Sequence, residues 1–126
     1  MQQNPIALQA PVEPLVKLLR TGDVEEKSYA ARALRSLAGN PSEKVAIVRA
    51  GAVDPLLELL RTADAPGKAA AAGALGSLIG NNASRGIIAR AGAVDPLTQL
   101  TRTGNTMGRA CATKALVHLN APHHVK

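Results

Sequence analysis

The chain has 126 residues, a formal net charge of +6 and 46% apolar residues, yet Tyr29 is its one aromatic side chain and Phe and Trp are absent. That is enough chain for one small domain with a core, and a core filled by Ala and Leu favours closely packed helices. The lone Cys111 excludes an internal disulfide and points to a reducing compartment. Charge or Gly interrupts every apolar run before the ~20 residues of a membrane span, and no basic region followed by an apolar run opens the chain. The expectation is an intracellular protein, cytoplasmic or nuclear, with no membrane association.

The phrase RAGAVDPL stands at 49–56 and again at 90–97, and the spacing of 41 reaches well past it. Val12, Val53 and Val94 align, as do Pro14, Pro55 and Pro96, then Leu15, Leu56 and Leu97, and Arg20, Arg61 and Arg102. Further on, Ala30, Ala71 and Ala112 fall in register, followed by Leu34, Leu75 and Leu116. A period of this length without any strand signal predicts a helical solenoid, in which each unit buries its face against its neighbours. The units run over 1–40, 41–81 and 82–122, with a short tail at 123–126, and together form a single domain.

In the first unit the opening helix is shortened to 5–10, and the turn after it has Pro11 and no glycine. The middle unit reads as three helices. The first covers about 42–50, and Gly51 turns the chain. The second starts near Pro55, whose fixed φ suits a first helical position, with Asp54 before it as N-cap. The third covers about 65–79. Asp23, Asp64 and Asn105 form a column of N-caps before the third helices, and Asp23 with Glu26 has the capping-box pattern. Gly39 and Gly80 close two of those helices, where a left-handed residue is commonly needed. In the third unit Thr98 and Thr101 replace Leu57 and Leu60, and Asn120 replaces Ile79, which are the polar changes expected of a C-terminal cap.

The segments AGAVDPLLELL (50–60) and AAAAGALGSLIGNN (69–82), together with the period, resemble the armadillo repeat over nearly the whole chain. The resemblance implies an all-α, right-handed superhelical solenoid of three repeats, each of up to three helices. It also implies a concave groove, lined by the third helices, that holds an extended peptide, with no enzymatic activity and no cofactor. The family's Asn ladder falls on Ser36, Ser77 and His118, and the Trp positions of import receptors fall on Arg32, Gly73 and Lys114. Both departures, and the basic groove charge, argue against recognition of a Lys-rich signal.

The candidate groove residues are therefore Arg32, Arg35, Ser36, Gly73, Gly76, Ser77, Lys114 and His118. Arg32, Arg35, Lys114 and His118 would supply charge or hydrogen bonds to an extended, acidic segment; solvated helix-surface charge is the competing reading. Gly costs ~1 kcal/mol against Ala in a helix interior, so Gly73 and Gly76 need a reason, either ligand approach or close helix packing. Helix layers ~8–10 Å apart and a strand rise of ~3.3 Å allow roughly six to nine ligand residues.

The other constellations are weaker. Cys111 and His118 share a helix face but stand ~10 Å apart, too far for a nucleophile pair. His118, His123 and His124 lack metal-ligand spacing. The basic balance is +1 over residues 1–40, zero over 41–81 and +5 over 82–126. The columns Lys27, Lys68, Arg109 and Arg20, Arg61, Arg102 read as solubilising helix edges. Nucleic-acid binding is disfavoured because aromatic side chains for stacking are missing and acidic residues interleave. The rival to peptide capture is self-association into a homo-oligomer or longer solenoid through an apolar edge of Ile6, Leu8, Val12, Val16 and Leu19.

Overall fold

The computed structural model describes residues 12–80 and 82–120. Ile6, Leu8, Pro11, His123 and His124 lie outside the described residues, as does the side chain of Asn120. Eight α-helices follow one another among the described residues, with no strand: α1 (Val12–Thr21), α2 (Val24–Leu37), α3 (Pro41–Arg49), α4 (Val53–Thr62), α5 (Ala65–Leu78), α6 (Asn82–Arg90), α7 (Val94–Thr103) and α8 (Thr106–Asn120). The third helices of the three units, α2, α5 and α8, lie side by side with α5 between the other two, and these are the most extensive helix contacts in the fold. Each second helix packs on the third helix of its own unit, α1 on α2, α4 on α5 and α7 on α8. The fold is the all-α solenoid that the period predicts.

The repeated phrase has a backbone reason. Gly51 and Gly92 take φ of +86° and +91°, a left-handed conformation that glycine adopts at little cost. The second helices then start earlier than expected. Ala52 is the N-cap of α4 and makes no side-chain cap bond, so Asp54 sits inside the first turn instead of capping it. Pro55 is tolerated there because the first N–H groups of a helix have no intrahelical partner. Gly39 and Gly80 are not left-handed. Helices α2 and α5 end on Ala38 (φ −69°) and Ile79 (φ −64°) in right-handed geometry. The chain leaves α2 through a tightened turn, Asn40 N–H donating to the Leu37 carbonyl at 3.0 Å.

The N-cap column forms as expected. Glu26 N–H donates to Asp23 Oδ1 at 2.8 Å while Asp23 N–H donates to Glu26 Oε1 at 2.9 Å, a complete capping box. Gly67 N–H donates to Asp64 Oδ1 at 3.0 Å, and Gly108 N–H to Asn105 Oδ1 at 2.7 Å.

One basic column has a role beyond solubility. Arg20 Nη2 donates to the carbonyls of Ala50 (3.4 Å) and Gly51 (3.3 Å), where α3 ends. A cation there meets the negative end of the helix dipole and ties the first unit to the second. Arg61 stands near the equivalent turn, its Nη2 lying 4.0 Å from where a Cβ on Gly92 would stand.

The expected apolar edge is corrected in part. Val12, Val16 and Leu19 are 5%, 2% and 1% exposed, inside the core. Helix α1 is amphipathic, and its apolar stripe faces the fold, where α1 packs against α2, α3 and α4. Its Glu13, Lys17 and Arg20 take the solvent side. Helix α5 is buried nearly all round because neighbours cover it on both sides. The third unit is covered less. Val94 is 40% exposed where Val53 is 5%. Thr98 and Thr101 are half-buried and turn their hydroxyls onto their own helix, donating to the carbonyls of Val94 (2.7 Å) and Thr98 (2.6 Å).

Candidate functional site

The row of third helices sets out the candidate residues in register. Arg32, Gly73 and Lys114 are equivalent positions, as are Ser36, Ser77 and His118, while Arg35 is matched by Gly76 and Val117. Arg32, Arg35, Ser36 and Lys114 are exposed. Gly76, Ser77 and His118 are half-buried, and Gly73 is buried.

A cavity of about 50 Å³ spans all three helices. Arg35 of α2 lines it on one side, Cys111 and Lys114 of α8 on the other, and Ala72, Gly73, Gly76 and Ser77 of α5 between them. The fold thus brings together five of the eight candidate residues. Arg32, Ser36 and His118 do not line the cavity, and His118 has its Nδ1 buried without a hydrogen-bond partner among the described residues. Ala72 and Cys111 were missed as wall residues. Their helical spacing, four before Gly76 and three before Lys114, was the available signal.

The two glycines differ. A Cβ on Gly73 would stand 3.0 Å from both Cδ and Nη1 of Arg35, so the missing side chain gives the arginine room to lie against α5. A Cβ on Gly76 would meet only Ala115 Cβ, at an ordinary 3.8 Å. Packing of a neighbouring side chain accounts for Gly73, and sterics require nothing at Gly76.

The cavity walls are cationic and include no carboxylate, so its field favours an anion. A larger depression, lined by Glu13, Pro14, Val16, Lys17, Arg20 and Ala50, mixes both signs, and its Arg20 is already engaged at the α3 terminus. Among the described residues no three metal-ligating side chains gather, and no helix is long and apolar enough to cross a membrane.

Stacked helical units with their third helices in a row define a repeat scaffold of the α-solenoid class. Residues 40–80 match the armadillo/beta-catenin-like repeat. The fold is similar to an engineered protein solved by the Northeast Structural Genomics Consortium, with a TM-score of 0.80 and 36% identity over 85% of this chain and 44% of that one. A designed armadillo repeat protein, YIII(Dq)4CqI, gives a TM-score of 0.80 and 31% identity over 86% of this chain and 47% of its own. Another designed armadillo repeat protein, in complex with the peptide (KR)4, gives 0.78 and 31% over 86% of this chain and 46% of its own. Residues 40–80 are thus an armadillo repeat, and the fold over most of the chain is similar to that of designed armadillo repeat proteins. The chain spans a little under half the length of these solved structures. No curated protein matches it.

Proposed function

We propose that the chain is a non-enzymatic protein-interaction module that holds an extended, acidic peptide along the row formed by α2, α5 and α8. One observation carries the reading: Arg35 and Lys114 approach a common cavity from opposite sides, over a small-residue surface that contains no carboxylate. A related designed protein is complexed with (KR)4, a basic peptide. The positive groove here favours the opposite ligand charge, because like charges across an interface are repulsive.

Fluorescence anisotropy with labelled (DE)4 and (KR)4 octapeptides tests this. Binding of (DE)4 is expected in preference to (KR)4, and its affinity is expected to fall steeply between 0.1 and 1 M salt as the charges are screened. A preference for (KR)4, or no binding of either, overturns the reading.

A second reading, end-to-end association of copies, is supported by the exposed Val94 and Val117 (40% and 61%) on the third unit. It rests on that side of the array and not on Val12, Val16 and Leu19. Absolute mass by light scattering across a concentration series separates it from a monomeric peptide binder.

A further inference from the structure

The groove holds one centre of charge, not a repeating ladder. Arg35 is matched in the other two units by Gly76 and Val117. It leaves its own unit, lies across the bare backbone at Gly73, and shares a cavity with Lys114 of the third unit. Ser77 adds a hydroxyl from the unit between them, while Ala72 and Cys111 complete the wall with apolar surface. Among the described residues neither Arg35 nor Lys114 makes an ion pair or hydrogen bond. We propose that this cavity is a carboxylate subsite, which seats the side chain of a single Asp or Glu at the centre of the bound segment. The inference rests on the groove reading above and sharpens it to one residue of the ligand.

Three arguments select the carboxylate. A guanidinium presents a planar fork of donors matched to two carboxylate oxygens, and an ammonium opposite it adds a point charge. The hydroxyl of Ser77 is a further donor. Size then favours the smaller group. One water needs about 10–15 Å³ of such space, so the 50 Å³ cavity takes a group of roughly three to five heavy atoms. A carboxylate, with three, fits with room to spare, whereas a phosphate monoester group, with five, stands at the upper limit.

The test scans the labelled (DE)4 peptide, changing each acidic residue in turn to its amide. One position is expected to lose about tenfold in affinity, as for a charge-assisted hydrogen bond, with the rest near twofold. Arg35→Met and Lys114→Met should each flatten the scan. Gly73→Ala keeps both charges but puts a methyl 3.0 Å from Arg35 Cδ and Nη1, displacing that side chain, and should also reduce the sensitive position. Alanine is the better helix former, so lost binding in this variant does not report unfolding, and a thermal melt checks that directly. A flat scan on wild-type protein, or unchanged binding in Gly73→Ala and Arg35→Met together, overturns the subsite while leaving the groove reading standing. Absence of (DE)4 binding to wild type fails the groove reading itself. Phosphoserine at the sensitive position should bind no tighter than Glu; a gain above threefold overturns the carboxylate assignment.

Discussion

The middle and third units share the phrase RAGAVDPL, the same turn geometry and the same capping chemistry, yet they differ in what they bury. Leu57 and Leu60 are each 2% exposed in the middle unit, and Ala72 and Leu75 are fully buried. Their counterparts in the third unit are Thr98, Thr101, Thr113 and Leu116, all half-buried or exposed. The difference teaches that a repeat has two kinds of residue. One kind shapes the unit and serves equally wherever the unit stands. The other kind joins it to a following unit, and has value only where that neighbour is present.

Substitutions at matched positions test that division. Leu57→Ala is expected to cost about 2–5 kcal/mol, the usual loss for a truncated core leucine, whereas Thr98→Ala should stay within about 0.5 kcal/mol. Urea melts of the two variants check this, and equal losses would break the comparison. Next in size are the turn glycines. Gly51→Ala and Gly92→Ala each force a left-handed alanine, at about 1–2 kcal/mol. Gly51→Ala should be the worse, because its new methyl would meet Arg20 Nη2 at 2.6 Å, against 4.0 Å for Gly92 and Arg61. The smallest effect is at the caps. Asp64→Ala and Asn105→Ala should each cost about 1 kcal/mol and match within error, because a cap bond is local and indifferent to the stack. Thermal melts showing a clearly larger loss for one of them would mean that these caps also take part in joining units.

Much of this was legible along the chain. The cap column was readable because Asp23, Asp64 and Asn105 satisfy donors only three residues away, an interaction that sequence spacing fixes. The failures share the opposite character. Asp54 was given a cap role that Ala52 holds, because Gly51 lets the helix start two residues sooner. Val12, Val16 and Leu19 looked uncovered because the chain does not announce that α1 turns its apolar stripe toward α3 and α4. Arg20 read as a soluble edge, since nothing local reveals that its guanidinium reaches carbonyls 30 and 31 residues away.

The same distinction governs the site. Glycine at the turns, the apolar 3–4 spacing of the second helices and the Ala- and Gly-rich α5 follow from local sterics and periodic burial. The sequence therefore determined the class of fold and which helices line up in the central row. It did not determine which charges meet. Arg32 and Arg35 are both exposed arginines on α2, three residues apart, and only the packing of α2 on α5 selects Arg35, by laying it over a position without a Cβ. Lys114 joins it from 79 residues further along. Contacts at that range depend on how neighbouring units are set against one another, which is a sum over many packed side chains and is not written in any short stretch of the chain.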